Sequence, residues 1–221
     1  MAAYVTNLPV NGKFNVTATF GQQGSYWANG HKGVDITAVQ KPLYAICDGV
    51  VTAVGWDEKG WGRYVSIKPA GFERIRIITC HMVENSVKVK KGDAVSRTTK
   101  LGTMGTSGNS SGVHVHIEMR IDNKSVDPTP YMLISNKKAT GLLDTNYKFD
   151  KSCQSTALKA ILEAFDKNEK APDVNEVCAS HNAVINNQAA EIAELKKQLA
   201  AASTKLSEAE NKISNAKKAL S

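Results

Sequence analysis

Seven short runs rich in β-branched and aromatic residues follow one another between Phe14 and Asp127: FNVTATF, GVDITA, LYAICDGVVTAVGW, RYVSIKP, RIRIITCHM, VKVKKGDAV and VHVHIEMRID. Gly-, Asn- or Lys-rich turns separate them, Lys91-Gly92-Asp93 among them. Short strands at this spacing predict a mainly β domain, a sandwich or barrel. At 221 residues the chain has room for one or two domains and a real core. A 42% hydrophobic and 22% charged composition argues against disorder throughout.

The stretch Gly112 to Arg120 carries the chemistry. Side chains alternate along a strand, so Val113, Val115 and Ile117 share one face and His114, His116 and Glu118 the other. The apolar face packs into a core, and the opposite face holds two imidazoles on a stiff element. Glu118 either holds a ligand histidine from behind or is a surface glutamate. The chain has five histidines. His31 lies four residues before Asp35, and in one ideal strand that separation would be about 13 Å, too far for a shared metal. Gly33 between them lets the backbone bend. His31 is therefore read as the end of a loop and Asp35 as the start of a strand. Two His and one Asp fill three tetrahedral positions and leave the fourth for water, as in a catalytic zinc site. No H-E-x-x-H helix is present to supply a glutamate base.

Taken together, His-x-x-x-Asp, the lone His81 after a strand, and His114-x-His116 followed by Ile117 and Glu118 resemble the lysostaphin-type zinc metallopeptidases of bacterial cell walls. The resemblance covers about Phe14 to Tyr131 and includes PLYAICDGVVTAVGWDEKGWGRYVSIKP and LGTMGTSGNSSGVHVHIEMRIDNKSVDP. It implies an antiparallel β-sandwich with a groove and one Zn2+ per chain, held by His31, Asp35 and His116. It places the two catalytic histidines at His81 and His114. The chain departs from the family at Val113, Val115 and Ile117 around the histidine pair, and at Cys80 and Met82 around His81. A tyrosine upstream of the first ligand is often catalytic in the family, and Tyr26 is the nearby candidate. Tyr26, Trp27 and Trp61, in loops rich in glycine, are candidates for the substrate groove. The implied activity is endopeptidase cleavage of the peptide cross-links of peptidoglycan. The alternative is a non-enzymatic structural or wall-binding virion component.

The charge is +7, with 15 Lys and Arg against 10 Asp and Glu in residues 1–135 and 13 against 11 in the rest. An excess of cations suits anionic wall polymers, whereas no motif or aromatic-interleaved basic tract points to nucleic acid. No apolar run is long enough to span a membrane, and the N-terminus lacks the pattern of a secretory signal. Delivery by a phage, within a virion or on release at host lysis, is the expectation that follows. The four cysteines form no C-x-x-C. Cys47 is expected to be a buried thiol, Cys80 and His81 are expected on opposite strand faces, and Cys153 and Cys178 are a possible pair in an oxidising compartment.

Domain boundaries follow the change of character after Pro130. Residues 1–134 are assigned to the β domain, 135–151 to a linker, 152–172 to a short helical segment and 173–221 to a long helix. Leu158, Ile161, Leu162 and Phe165 recur at helical spacing. Ile185, Ile192, Leu199, Leu206, Ile213 and Leu220 recur every seventh residue, which predicts a coiled coil. The partner would be a second copy of the chain or a phage structural protein.

Overall fold

In the computed structural model, which describes residues 8–11, 14–39, 41–132, 139–141, 151–170, 194–204 and 206, the first part of the chain is built mainly of strands. In chain order they are β1 (Phe14–Ala18), β2 (Val34–Ala38), β3 (Pro42–Tyr44), β4 (Gly49–Asp57), β5 (Gly62–Pro69), β6 (Ile75–Met82), β7 (Ala94–Val95), β8 (Lys100–Thr103), β9 (Val115–Ile121) and β10 (Lys124–Val126). A short helix α1 (Thr129–Met132), a strand β11 (Ala139–Gly141) and a helix α2 (Lys151–Asp166) follow. The large sheet has nine strands in the order β11-β1-β2-β9-β6-β5-β4-β7, with β10 beside β9. β3 and β8 form a separate two-stranded sheet. Every pairing is antiparallel. The mainly β, antiparallel expectation holds, but the two sheets are very unequal. Leu43 and Leu101 of the small sheet join the same hydrophobic cluster as Val16, Ile36, Ile77, Ile117 and Met119 of the large one.

β9 lies between β2 and β6. Its Val115, Ile117, Met119 and Ile121 all enter the core, and all four are fully buried. Each such side chain contributes roughly 1.5–3 kcal/mol of burial. The strand ends at a two-residue turn, Asp122-Asn123, with φ of 49° and 64°. Asp and Asn tolerate this left-handed backbone, and Ile121 pairs directly with Lys124 across it.

Some runs fold otherwise than their composition suggests. LYAICDGVVTAVGW is two strands, because residues 45–48 leave one sheet for the other. The Ala45 amide bonds the Thr99 carbonyl, and the Asp48 carbonyl accepts from Ala70. Cys47 is buried as expected, but in this crossing rather than in a strand. In VKVKKGDAV only Ala94 and Val95 pair, and Val87 and Val89 pack on the core from irregular chain.

The span assigned to a linker contains β11, which pairs with β1. α2 is also not a segment apart. Its Ala157, Leu158 and Ile161 are buried in the same cluster as Tyr131 and Met132, and Leu162 and Phe165 pack against it. Arg74, just before β6, binds both Asp122 and Asp166, tying the end of α2 to the sheet. The helical spacing was legible, but its apolar stripe is matched by a bare patch of core that only the fold reveals.

The chain divides into two units, residues 1–178 and 179–221. In the second, residues 194–204 are helical, and Leu195, Leu199 and Leu206 are exposed. Ile185, Ile192, Ile213 and Leu220 lie outside the described residues, as do Cys178 and the side chain of Cys153. Among the described residues no helix is long and apolar enough to cross a membrane.

Candidate metal centre and active-site groove

Asp35 and His116 are direct cross-strand partners on β2 and β9, which sets a carboxylate opposite an imidazole. His31 lies in the loop before β2, which continues through Lys32 and Gly33 rather than ending at His31, and β2 starts at Val34, one residue before Asp35. Three ligand-type atoms converge there. His116 Nδ1 is 2.8 Å from Asp35 Oδ1 and 3.0 Å from His31 Nε2, and His31 Nε2 is 3.2 Å from Asp35 Oδ1. Ligand atoms around a tetrahedral zinc, each about 2.0–2.1 Å from the ion, stand about 3.3 Å apart. The triangle has the size a small divalent cation needs.

Second contacts fix the rings. His31 Nδ1 donates to the Thr19 carbonyl at 3.0 Å, leaving Nε2 free to ligate. The other nitrogen of His116, Nε2, stands 3.8 Å from Glu118 Oε2. A carboxylate behind a ligand histidine orients the ring and raises its basicity.

The electrostatics call for a cation at the same point. Burial would raise the pKa of Asp35, but hydrogen bonds with His116 and His31 outweigh it and hold the carboxyl well below its usual range. Burial would lower the pKa of His116, yet Asp35 and Glu118 on its two sides push it up to about 9. Glu118 is likewise opposed by burial and brought down to about 2 by His116, Ser125 and Arg120. Two buried carboxylates thus flank one imidazole, Asp35 at Nδ1 and Glu118 at Nε2, and a divalent ion at Nδ1 would be met by Asp35 while Nε2 stays turned to Glu118.

Glu118 is fully buried, which excludes the surface reading. It accepts from Trp61 Nε1 at 2.8 Å, from Arg120 Nε at 2.7 Å, and from the Ser125 hydroxyl. The Arg120 guanidinium lies 4.8 Å over the Trp61 ring. Trp61 is therefore more than a groove wall, since its N–H helps hold the carboxylate behind His116.

His81 and His114 lie close together, with ring centroids 4.7 Å apart, and the His81 ring is 5.9 Å from that of His116. His81 Nδ1 donates to the Ser107 carbonyl at 2.8 Å, and His114 Nδ1 donates to the Gly112 carbonyl at 2.8 Å. His81 therefore presents Nε2 to the groove, and His114 Nε2 stands 3.7 Å from Asp35 Oδ1. Burial lowers the His81 pKa to about 4, so the ring is neutral at ordinary pH.

His81 reaches this position through a bulge that simple alternation misses. Its φ is 57°, a left-handed value uncommon outside glycine. The pairing of β5 with β6 slips there, from Val65↔Thr79 to Arg63↔Met82. The extra residue reverses the strand's parity, so Met82 enters the core and His81 lines the groove. The expected opposition of Cys80 and His81 thus rests on an alternation that breaks at His81. Cys80 is nonetheless no nucleophile: it is fully buried, and burial with the nearby Glu118 raises its pKa well above normal.

The five residues line one cavity of about 890 Å³, together with Tyr26, Trp27 and Trp61. Trp27 packs on His31 at 4.6 Å between ring centroids, and Tyr26 is 70% exposed at the rim. The sequence flagged the loop before His114 but not its individual roles. Ser107 holds His81 through its carbonyl, while its hydroxyl bonds Met82 O and Arg63 N. No pattern in the sequence marks one serine of GTSGNSSG for this.

Gly33 has a different function from the one its position suggests. A Cβ there would stand 2.2 Å from the Ile117 carbonyl and 2.7 Å from His116 Cε1. Close approach of β2 to β9, not backbone freedom, demands glycine. Gly33→Ala is expected to destabilise the fold by about 1–3 kcal/mol and to move a ligand ring. Thermal melts with and without a divalent metal check this: the rise in Tm on adding metal should be clearly smaller than in the parent.

An open three-ligand site with two further histidines in one groove is the arrangement of a metal-dependent hydrolase. Residues 29–128 match the model of the family described as Peptidase family M23. Among curated proteins it is similar to the peptidoglycan DD-endopeptidase ShyB of Vibrio cholerae, with 30% identity over 140 residues, 60% of this chain and 32% of that protein. It is also similar to the murein hydrolase activator NlpD of Escherichia coli, with 30% identity over 125 residues, 56% of this chain and 30% of that protein. Of solved structures, the catalytic domain of a mutant of the prophage-encoded M23 protein EnpA from Enterococcus faecalis is 30% identical, covers 52% of this chain and 88% of that one, and has a TM-score of 0.46. The chain spans between 20% and 39% of the length of the first curated relatives it matches.

Proposed function

We propose that residues 29–128 form a zinc-dependent endopeptidase that hydrolyses peptide cross-links of bacterial peptidoglycan. One observation carries the reading: His31, Asp35 and His116 present three ligand atoms within 3.2 Å of one another in the groove that also holds His81 and His114. The name of the relative ShyB, a peptidoglycan DD-endopeptidase, supports the substrate class. Zinc held by His31, Asp35 and His116 would polarise a carbonyl and lower the pKa of a bound water to about 7. The neutral His81 accepts a proton at Nε2, and Ser107 keeps that nitrogen presented. His114, tied through Nδ1 to Gly112, acts at Nε2 on the developing oxyanion or leaving group. A non-enzymatic wall-binding role would need none of these positions filled, and all five are. Zymography on purified bacterial walls tests the proposal: clearing that a chelator abolishes and zinc restores supports it, and no clearing on any wall contradicts it.

We further propose that residues 174–221 associate as a coiled coil, with a second copy of the chain or with a phage structural protein. The exposed Leu195, Leu199 and Leu206 and the seven-residue recurrence from Ile185 to Leu220 support this. Each leucine or isoleucine buried between chains contributes roughly 1.5–3 kcal/mol before entropy costs. Light scattering should show an oligomer for the full chain and a monomer after truncation before Val174. A monomeric full chain at micromolar concentration would remove self-association and leave only the other partner. On this reading the domain reaches the wall with a virion or on release at host lysis.

A further inference from the structure

A second cavity, of about 550 Å³, adjoins the metal groove. Asn29, Gly30, His31, Lys32 and Arg120 line both cavities, so the recess continues the groove past the first ligand. Its lining holds three cations, Lys32, Arg120 and Lys124, and no aspartate or glutamate. Amide and hydroxyl side chains fill much of the remainder, among them Asn29, Asn123 and Ser125.

The three cations arrive by separate routes. Lys32 directly follows the ligand His31. Arg120 lies on the same face of β9 as His116 and Glu118. Lys124 opens β10, across the turn from Ile121. Arg120 is held rigidly, with Nε on Glu118 and its plane over Trp61, while Lys32 and Lys124 are exposed and make no ion pair among the described residues. Asp122, at the turn before Lys124 and attracted by its charge, is bonded by Arg74. A recess with this charge favours an anion, and its shared wall with the metal site places that anion on the substrate itself.

We propose that this recess is a subsite for a free carboxylate carried by the substrate peptide close to the scissile bond. The chain would then distinguish cross-linked peptides with free carboxylates from the same peptides with those groups amidated. The proposal rests on the reading that the groove holds a wall peptide.

The test uses the full, zinc-loaded chain carrying His81→Asn, so that binding is read without turnover. A synthetic cross-linked peptide dimer with free carboxylates and its fully amidated counterpart are titrated by calorimetry at low salt. The free acid should bind about tenfold more tightly, a preference that shrinks as salt rises. Adding Lys32→Gln and Lys124→Gln together should bring the two affinities within about twofold of each other and leave that of the amide unchanged. Equal affinities before those two substitutions, no measurable binding of either peptide, or a preference that survives them overturns the subsite. Cleavage by the unsubstituted chain separates this from the peptidase reading. Zinc-dependent cleavage with no acid preference sinks the subsite alone. Acid preference without cleavage sinks the peptidase reading and leaves the subsite standing.

Discussion

His116→Ala should lose its divalent metal, with affinity falling by a hundredfold or more. Loss of a partner behind a ligand already costs about 10–100-fold in metal affinity, and His116 is itself one of three atoms in the triangle. The same substitution takes the imidazole from between Asp35 and Glu118, so two buried carboxylates lose their shared partner. Metal analysis after dialysis, with circular dichroism to confirm the fold, checks the result. Full retention of tightly bound metal would show that His116 is not a ligand.

His81 should behave in the opposite way. Its ring lies outside the ligand triangle, so removing it leaves the metal atoms in place. Loss of an acid/base group should lower turnover on wall peptides by about 10²–10⁴-fold. His81→Ala alone is open to another explanation, because the residue sits at φ 57° and alanine is strained there. His81→Asn is the cleaner variant, since asparagine tolerates the left-handed backbone. Both should retain one metal per chain while losing cleavage. Near-normal turnover in the asparagine variant would remove His81 from the chemistry.

The contrast between these two histidines also shows what could be read from the sequence. His116 lies inside a regular strand, so alternation alone places it with Glu118 and opposite Val115 and Ile117, as found. β9 begins only at Val115, so Val113, expected on the core face, is exposed instead, and His114 meets Gly105 in an isolated bridge just before the strand. His81 depends on a bulge, and a bulge is set by packing of neighbouring strands rather than by any local residue pattern. Met82 and Tyr64 sit next to that slip, yet neither announces it. Glu118 was ambiguous for a related reason. It is held by Trp61, Arg120 and Ser125, and Trp61 comes from 57 residues away. The bend between His31 and Asp35 was legible, while the reason for Gly33 was not, because it concerns a strand more than eighty residues away.

The most direct test follows the bond itself. Purified cross-linked muropeptide dimers are incubated with the full chain at one zinc per protein, and the products are read by mass spectrometry. Dimers should fall to monomers with a newly freed amine and carboxyl, the conversion should stop with chelator, and it should be absent in His116→Ala. Dimers that stay intact with the zinc-loaded chain would contradict the account, most clearly if the same preparation stimulated a separately added wall hydrolase.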